Sequence, residues 1–396
     1  MLRDVSGTAP RDAVSRDRPI AVYVHWPFCH HLCPYCDFNV HIRDRVDHDA
    51  WRRALLRELD HFAALVPDRT LTSVFFGGGT PSLMRPETVE AILSRAGDRW
   101  RCDPALEISL EANPEDSDSF AAFADVGVTR LSLGVQALDD DALVFLGRRH
   151  DTRRAIAAIE EAQRRCRDVS IDLIYVRPRQ TLDEWEDELR RAVRLGTTHL
   201  SLYQLTIEPR TSFYTAARRG TLTMPDDDHA ASLFELSQGV LSDAGLPAYE
   251  ISNHARPGHE CRHNLTYWTY GDYIGIGPGA HGRLTIDRTK HAAHQIRKPE
   301  RWLDDVARRG HGTEECLGLA QSERIAELLI MGLRLTGGIP RGRFRDEAGA
   351  DIEAALDPAK LAELQAMDLL ILDHDGLRAT SRGRQRLDAV LSRLLG

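Results

Sequence analysis

Three cysteines lie within eight residues of one another, at Cys29, Cys33 and Cys36. Spacings of four and three residues are short enough for one loop to wrap three thiolates around a single soft metal centre. A structural zinc ion or an electron-transfer cluster normally takes four protein ligands, and only three are local here. The pattern therefore indicates an iron–sulfur cluster that keeps one iron free for a small molecule.

A zinc site is the alternative interpretation of these cysteines. Its fourth ligand would be a nearby histidine or a distant cysteine, drawn from His25, His30, His31 and Cys102. Spacing alone leaves this alternative open. The predicted context, a loop directly after a first strand, favours the cluster.

The elements that must position the cysteines alternate between strands and helices. Apolar, partly β-branched runs predict strands, and helical spacing predicts helices between them. The strands are expected at 20–24, 73–76, 106–110, 130–135, 169–175 and 199–205, and the helices at 49–66, 86–99, 117–125, 152–165 and 183–195. Such alternation forms a parallel sheet, and six units are fewer than the eight of a closed barrel. The predicted fold is α/β, an open (β/α)6 partial TIM barrel.

Polar or glycine-rich residues follow the carboxyl ends of these strands, where α/β barrels place their chemistry. They are the cysteines, the run Gly77-Gly78-Gly79-Thr80, Glu111, Gln136 and, within the fifth strand, Asp172. Glycines let a backbone approach a ligand that a Cβ would block, and this run lacks the Lys and Ser/Thr of a phosphate loop. We expect one mouth of the barrel to collect all of them.

The pattern changes after residue 225. We expect a helix to Gly245, a short strand near 248–252 and a Gly-rich loop at 275–282 that closes the lower edge of the barrel. This loop is not a dinucleotide-binding motif, because Pro278 interrupts the glycine pattern. The last residues predict a mostly helical, winged-helix-like region. The predicted division is a flexible N-terminus at 1–18, the barrel at 19–225, an attached region at 226–315 and the C-terminal region at 316–396.

Composition excludes several classes of protein. A formal net charge of -9 argues against a general partnership with nucleic acid. No apolar run has the length that spans a bilayer, and the first twenty residues resemble neither a signal peptide nor a strong transit peptide. Seven cysteines, three of them crowded together, suit metal binding in a reducing compartment. We expect a cytoplasmic protein.

The motif C-x-x-x-C-x-x-C after a first strand, with an aromatic residue before the third cysteine, resembles the radical S-adenosylmethionine superfamily. The resemblance implies that Cys29, Cys33 and Cys36 hold a 4Fe-4S cluster and that S-adenosylmethionine chelates the fourth iron. An electron from the cluster then cleaves the sulfonium to a deoxyadenosyl radical. The protein's part in such chemistry is orientation and exclusion of water.

Longer motifs narrow this resemblance to the oxygen-independent coproporphyrinogen III oxidase group, over about residues 20–395. They are Tyr23-Val-His25-Trp-Pro27-Phe28-Cys29, Gly-Gly-Gly-Thr-Pro, Ser-Leu-Glu-Ala-Asn-Pro, Gly-Val-Gln and Ile171-Asp172-Leu-Ile-Tyr175. By that likeness, and with Gly78 of the glycine run, the cofactor-binding residues are Tyr23, Tyr35, Gly78, Gly79, Thr80, Glu111, Gln136, Arg148 and Asp172.

Phe38 distinguishes between branches of that group. The oxidases carry a further cysteine two positions after the third, and Phe38 occupies that place here. The sequence thus resembles the HemW branch of haem chaperones, whose H-N-x-x-Y-W haem-binding signature matches His263, Asn264, Tyr267 and Trp268. An imidazole can ligate haem iron while aromatic rings pack on the macrocycle, and Cys261 offers a thiolate alternative.

The loop at 176–180 departs from the family pattern. Where the family has Gly-x-Pro-Gly-Gln, the chain has Val176-Arg177-Pro178-Arg179-Gln180. A left-handed backbone position that glycine tolerates would be strained with Val or Arg. A further hypothesis is that Arg177 or Arg179 pairs with haem propionates.

The resemblance implies a chaperone that binds haem, a 4Fe-4S cluster and S-adenosylmethionine and transfers haem to acceptor proteins. The alternative is an oxygen-independent coproporphyrinogen III oxidase. A third possibility is a cluster that reduces or releases haem without radical turnover, or that only organises the fold. The implied partners are haem, acceptor proteins and an electron donor such as a flavodoxin-type reductant. No nucleic-acid partner is expected, and membrane contact is expected only through acceptors.

Overall fold

The computed structural model describes residues 18–396. The predicted flexible N-terminus, apart from Arg18, lies outside the described residues. The strands are β1 Pro19–Trp26, β2 Thr70–Gly78, β3 Arg101–Ala112, β4 Arg130–Gln136, β5 Asp168–Tyr175, β6 His199–Gln204, β7 Asn253–Ala255, β8 Tyr273–Ile276, β9 His281–Ile286, β10 Thr289–Gln295, β11 Thr313–Gly318, β12 Ile339–Pro340, β13 Leu370–Leu372 and β14 Gly376–Ala379.

The α-helices alternate with the first six strands and then dominate the end of the chain. They are α1 His48–Leu65, α2 Pro86–Arg99, α3 Phe120–Asp125, α4 Asp140–Phe145, α5 Thr152–Arg165, α6 Leu182–Arg194, α7 Ser212–Arg218, α8 Asp227–Asp243, α9 Arg262–Trp268, α10 Pro299–Arg309, α11 Gln321–Gly332, α12 Arg341–Ala348, α13 Ile352–Ala355, α14 Pro358–Ala366, α15 Ser381–Gln385 and α16 Leu387–Leu395. Two 3₁₀ helices, Pro81–Leu83 and Pro114–Ser119, follow β2 and β3.

Strands β1 to β6 lie side by side in chain order, and every neighbouring pair is parallel. Seven of the eight residues of β5 are buried, as expected for a parallel strand covered on both faces. Helices start where the sequence supplies caps: the Asp151 side chain accepts from the Arg154 amide, and Thr181 forms a capping box with Glu184. The predicted open (β/α)6 barrel is confirmed.

Five further strands extend this sheet at both edges. β7 pairs antiparallel with β6, β8 pairs parallel with β1, and β9, β10 and β11 continue antiparallel from β8. The sheet therefore has eleven strands and continues without a break across the predicted boundary between residues 225 and 226.

Two local predictions in the attached region are wrong. The strand expected near 248–252 lies at Asn253–Ala255, because the Glu250 carboxylate accepts from the Ser252 amide at 2.8 Å and bends the chain before it. The Gly-rich stretch at 275–282 contains the end of β8 and the start of β9. The turn between them lies at the carboxyl end of β1, not at the lower edge, since Val24 pairs with Ile276 in parallel register.

The C-terminal region has its own apolar core. Buried side chains from Leu328 to Leu394 pack together, and β12, β14 and β13 form a small antiparallel sheet among helices α11 to α16. This matches the predicted winged-helix-like region. Within residues 18–396, no helix combines the length and the apolar character needed to cross a membrane.

Candidate functional site

The three cysteines lie on the loop between β1 and α1, at the carboxyl mouth of the barrel. The Cys29 amide donates to the His41 carbonyl at 3.1 Å, and the Cys36 amide donates to the Cys33 carbonyl at 3.2 Å. The Asn39 side chain donates to the carbonyls of Pro278 and Arg297, both at 2.9 Å. Hydrogen bonds on both sides therefore fix the loop between β1 and the β8–β9 turn.

The spacing of the thiols distinguishes a cluster from a single ion. Around one tetrahedral ion with Zn–S bonds of about 2.3 Å, all sulfurs would be about 4 Å apart. Among residues 18–396, the only three-residue set of ligand atoms within 4.8 Å of one another is Asp373, His374 and Asp375, which does not include the cysteines. A cubane cluster spaces its cysteine ligands further apart, so the thiols fit a 4Fe-4S cluster better than one zinc ion.

Most of the zinc alternative's fourth ligands are also unsuited. Cys102 pairs with Leu71 at the amino end of the sheet, opposite the mouth. The two ring nitrogens of His25 contact the Tyr23 hydroxyl at 3.1 Å and the Asn39 carbonyl at 3.0 Å. His30 pairs with Asp116 at 3.1 Å. Of these candidates, His31 has a ring nitrogen close to a thiol, with Nε2 3.8 Å from the Cys33 sulfur.

A cavity of about 360 Å³ opens at this mouth. Eleven residues predicted for the cluster and the cofactor line it: Cys29, Cys33, Cys36, Tyr35, Gly78, Gly79, Thr80, Glu111, Gln136, Arg148 and Asp172. Glycine is required at two of these positions. Gly78 has φ +116°, and a Cβ on Gly79 would lie 2.7 Å from the Phe28 carbonyl oxygen. The backbone of β2 can therefore lie directly against the cysteine loop.

A hydrogen-bond chain connects the thiols to the neighbouring strand ends. The Thr80 hydroxyl donates to the Cys29 sulfur at 3.4 Å, and the Asn113 amide donates to Thr80 at 3.3 Å. The Arg148 guanidinium donates to Asn113, to the Gly134 carbonyl at 2.9 Å and to the Cys33 sulfur at 3.6 Å. A fixed positive charge thus lies beside the place where thiolate charge gathers.

Two carboxyl groups form the floor of the cavity. Burial raises the pKa of Glu111 to about 8, and the nearby Asp172 adds to this while the Gly78 amide, 3.1 Å from the carboxylate, opposes it. Burial also raises the pKa of Asp172 to about 6, against the Ser201 and Ser132 hydroxyls. The pair therefore offers proton donors and acceptors near neutral pH.

The rim of the cavity is partly strained and partly apolar. Gln136 has φ +71° at an irregularity in the pairing of β4 with β5. This conformation is costly for a non-glycine residue, and it directs the end of β4 towards the cavity. Tyr35 packs near Phe213, with ring centroids 6.4 Å apart. Leu32 and Phe38 are 58% and 67% exposed on the rim.

Tyr23 and three residues of the motif on α9, His263, Asn264 and Tyr267, line a second, deeper cavity of about 180 Å³ inside the barrel. His263 is only 3% exposed; its Nδ1 contacts the Ser73 hydroxyl at 3.2 Å, and its ring stacks on Phe75 and Tyr23. Burial lowers the pKa of His263 to about 3. The imidazole is therefore neutral and enclosed in the barrel.

The other residues of the motif divide between two faces of α9. Tyr267 donates to Asn264 at 2.9 Å, and Asn264 donates to the Tyr249 hydroxyl at 3.2 Å, inside the barrel. Trp268 lies on the other side, with the Arg334 guanidinium 4.3 Å from its ring centroid. Cys261 is buried and lies 3.4 Å from a Glu107 carboxylate oxygen, so burial and this charge raise its pKa.

The loop at 176–180 has the strained backbone expected from its sequence. Val176 and Arg179 adopt φ +59° and +63°. Arg177 is buried and forms a two-point ion pair with Glu188, so the hypothesis that it pairs with haem propionates is wrong. Arg179 is exposed.

Sequence reasoning assigned no role to two residues of the site. Asn113 connects Thr80 to Arg148, and Ser132 donates to Asp172 at 3.3 Å. Side chains alternate along extended chain, so Asn113 shares the face of Glu111 and Ser132 shares that of Gln136. That two-residue periodicity was the available signal.

The chain is similar to known proteins over nearly its whole length. The family model described as the Radical SAM superfamily matches residues 23–192, and the HemN C-terminal domain matches residues 319–386. Radical S-adenosyl methionine domain-containing protein 1, mitochondrial, from Bos taurus is 40% identical over 98% of this chain and 89% of its own length. Heme chaperone HemW from Mycobacterium tuberculosis H37Rv is 37% identical, with coverage of 99% and 98%.

A solved structure shows the same fold. The coproporphyrinogen III oxidase HemN from Escherichia coli, described as a radical SAM enzyme, superposes with a TM-score of 0.80 at 22% identity and covers 96% of this chain and 91% of its own. Heme chaperone HemW from Escherichia coli K12 is 36% identical over 95% of this chain and 98% of its own length. The chain belongs to the radical SAM superfamily and, within it, to the family that contains Heme chaperone HemW.

Proposed function

We propose that this protein is a haem chaperone that binds a 4Fe-4S cluster, S-adenosylmethionine and haem, and that transfers haem to acceptor proteins. The observation that carries the proposal is full-length similarity, at 34 to 37% identity, to several proteins named Heme chaperone HemW. The mouth supplies the chemistry such a protein needs, since three thiols line one cavity with the ends of the parallel strands.

Each residue at the mouth has a role in holding the cofactors. A bound 4Fe-4S cluster supplies single electrons to a ligand at its open iron. Burial raises the pKa of Cys29, and that of Cys36 to about 11, so these thiols release protons when they bind iron. Thr80 and Arg148 donate to the thiolates, while Glu111, Gln136 and Asp172 offer polar contacts to S-adenosylmethionine.

The haem-binding role of His263, Asn264, Tyr267 and Trp268 stays a prediction. The enclosed position of His263 adds a condition to it. Because Tyr23, Phe75 and Ser73 enclose the imidazole, iron ligation by His263 requires the haem iron to reach the cavity inside the barrel.

Two further proposals concern the electron donor and the cellular compartment. A flavodoxin-type reductant would supply the electron, since the cluster loop lies at an open mouth with exposed Leu32 and Phe38. The cytoplasm is the proposed compartment, as predicted from the sequence.

Anaerobic reconstitution followed by haem titration tests the proposed function. We expect a haem absorption band, transfer of that haem to a haem-free acceptor such as apomyoglobin, and no conversion of coproporphyrinogen III in the presence of reductant and S-adenosylmethionine. A Cys29→Ala variant should lose the cluster, and Cys316→Ala, at an exposed cysteine, should retain it. Absence of any haem band would overturn the chaperone, and formation of protoporphyrinogen would establish the oxidase alternative.

A further inference from the structure

The interior of the barrel is polar, whereas bulky branched side chains usually fill an α/β barrel. Ser132, Ser170 and Ser201 line the inner cavity, the one of about 180 Å³, from the neighbouring strands β4, β5 and β6. Asp172 and Tyr203 line both this inner cavity and the cavity at the mouth. The two cavities therefore share part of one polar wall.

A continuous chain of hydrogen-bonding side chains starts at this shared wall. The Ser201 hydroxyl hydrogen-bonds to the Asp172 carboxylate and lies 3.4 Å from the Ser170 hydroxyl. Ser170 Oγ lies 2.7 Å from Nδ1 of His199, and Nε2 of the same ring lies 2.9 Å from the Tyr249 hydroxyl. The chain thus runs from a carboxylate of the mouth to a tyrosine on the segment before β7.

The far end of the chain holds the polar residues of α9. The Asn264 side-chain amide donates to the Tyr249 hydroxyl at 3.2 Å, and the Tyr267 hydroxyl donates to the Asn264 side-chain oxygen at 2.9 Å. Asn264 and Tyr267 are two of the four residues of the predicted haem motif. One hydrogen-bonded path therefore joins the cofactor cavity to that motif.

A single ring proton on His199 decides which way the chain points. Burial lowers the pKa of His199 well below its ordinary value, and the Arg130 guanidinium adds to this effect, so the imidazole is neutral. A neutral imidazole donates from one ring nitrogen and accepts at the other. Because both nitrogens contact hydroxyls, those of Ser170 and Tyr249, the chain has two possible directions.

The two directions satisfy different numbers of hydrogen bonds. With the proton on Nδ1, His199 donates to Ser170, and the Ser170 hydroxyl is free to donate to Ser201. Ser201 then donates to the Asp172 carboxylate, while Tyr249 donates to Nε2 and accepts from α9. With the proton on Nε2, Ser170 donates to Nδ1, so its contact with Ser201 is a hydrogen bond only if Ser201 stops donating to Asp172. The Tyr249 proton then has no acceptor within the chain. An ionised Asp172 therefore fixes the Nδ1–H tautomer.

We propose that Ser170, His199 and Tyr249 are positioning residues that connect the charge of Asp172 at the mouth to the predicted haem motif on α9. This inference rests on the proposed function. The carboxylate orients the chain, and the oriented chain holds the Asn264 amide in place. A change at the cofactor cavity thereby alters haem binding without contact between the two ligands.

Nitrogen-15 NMR of the histidine-labelled full chain, after cluster reconstitution, tests the direction of the chain, and a His199→Gln variant assigns the signal. We expect the Nδ1–H tautomer near pH 7.5, above the pKa of about 6 of Asp172. Asp172→Asn removes the charge, so both tautomers should become populated. Tyr249→Phe should keep Nδ1–H, because the contact with Ser170 remains. An Nε2–H ring in the wild type, or an unchanged ring in folded Asp172→Asn, would overturn the proposal.

Haem titration of the reconstituted protein tests the connection to α9. Ser170→Ala breaks the chain, and Ser170→Thr is the matched rescue variant, since it keeps the hydroxyl and its extra methyl can enter the inner cavity. Tyr249→Phe removes the acceptor of the Asn264 amide. We expect haem affinity to fall about fivefold or more in Ser170→Ala and Tyr249→Phe, and to change by less than about twofold in Ser170→Thr. Cluster content and melting temperature report whether each variant is folded.

The outcomes separate the two proposals. If the wild type binds haem and the folded Ser170→Ala and Tyr249→Phe variants bind it equally well, the chain does not position the motif, while the chaperone stands. Equal losses in Ser170→Ala and Ser170→Thr would assign the effect to packing and also overturn the chain. If the wild type binds no haem, the proposed function fails, and the chain has no haem motif to position.

Discussion

Arg148 is the charged residue that connects the thiols to the rest of the mouth. It donates to the Cys33 sulfur, to Asn113 and to Gly134 in an environment that is mostly shielded from water. A cluster ligated by thiolates carries negative charge, and a buried cation beside it stabilises that charge more than an exposed one would. Arg148 should therefore be needed to retain the cluster, beyond any contact with S-adenosylmethionine.

An Arg148→Met variant tests this expectation. We expect it to retain at most half of the wild-type iron per chain after anaerobic reconstitution and gel filtration. Arg149→Met, which changes the next residue along, removes an exposed arginine and should load like the wild type. Equal iron content in the two variants would mean that the charge of Arg148 does not stabilise the cluster.

Arg179 stores backbone strain at an exposed position. Its φ of +63° lies in the left-handed region, which costs a non-glycine residue about 1–2 kcal/mol. Glycine removes that cost but gives the unfolded chain more freedom, worth about 0.4–1 kcal/mol. We expect Arg179→Gly to stabilise the fold by up to about 1 kcal/mol in urea titrations. Arg191→Gly, in helix α6, should instead destabilise it by about 1 kcal/mol.

At the residue scale the sequence predicted which side chains gather but not how deep each one lies. Cysteine spacing and strand ends predicted nine of the eleven residues around the mouth cavity, and the resemblance to the family supplied Tyr35 and Arg148. Tyr23 and His263 lie deeper because they point into the barrel from β1 and α9. A motif such as H-N-x-x-Y-W specifies residue types and helical spacing; it contains no information on which surface the helix packs against.

At the scale of elements, the β8–β9 turn joins the added strands to the barrel mouth. Gly277 has φ +96°, and a Cβ there would lie 2.3 Å from the His25 carbonyl oxygen. Its amide donates to the Glu58 carboxylate of α1 at 2.8 Å. An alanine would both strain the turn and push it away from β1.

Gly277→Ala should consequently destabilise the fold by about 2 kcal/mol or more, measured by thermal or urea unfolding. Gly239→Ala is the matched control, since this glycine lies within α8 with open space around it. That change should stabilise the protein by roughly 0.5–1 kcal/mol. Similar effects in both variants would show that the turn tolerates a side chain.

The elements that sequence patterns missed share a physical reason. Each of the strands β1 to β6 contains a short apolar run, and β1 and β5 are buried along nearly all their length, as parallel strands covered on both faces are. Strand β11 is exposed along nearly all its length and contains two glutamates, and β10 contains two histidines. Strands of this kind carry no apolar period. They form because β9, β10 and β11 continue the sheet from β8, and β8 pairs with β1.

At the scale of the whole molecule, buried histidines and buried carboxyls oppose each other as pH changes. Burial lowers the pKa of five enclosed histidines: to about 4 for His25, His150 and His254, to about 3 for His263, and well below the ordinary value for His199. It raises the pKa of three carboxyls: to about 6 for Asp172, about 7 for Glu58 and about 8 for Glu111. The apoprotein therefore has two limbs of pH dependence.

Below about pH 6.5 the five histidines bind protons in the unfolded chain but not in the folded chain. The three carboxyls have the opposite preference, because they keep their protons in the folded chain and release them in the unfolded chain. Near pH 5.5 the histidines outnumber the carboxyls, so the unfolded state binds more protons and stability rises with pH. Above pH 7 the unfolded histidines lose their remaining protons, and the folded state binds more protons because its buried carboxyls and buried thiols keep theirs. Stability therefore falls gently towards pH 8.5.

The expected result is a maximum in the melting temperature of the cluster-free protein near pH 7, measured by differential scanning fluorimetry from pH 5 to 8.5. Glu111→Gln mimics the protonated carboxyl and can still accept from the Gly78 amide, so it should flatten the alkaline limb. It should also steepen the acid limb, because the folded chain then no longer holds a proton on this side chain that the unfolded chain releases. Glu90→Gln, at an exposed site on α2, should alter neither limb. A wild-type melting temperature that continued to rise from pH 7 to 8.5 would mean that Glu58 and Glu111 ionise freely in the folded protein. Their carboxylates would then be solvated or paired, and Glu111 could not serve as a proton donor at the mouth near neutral pH.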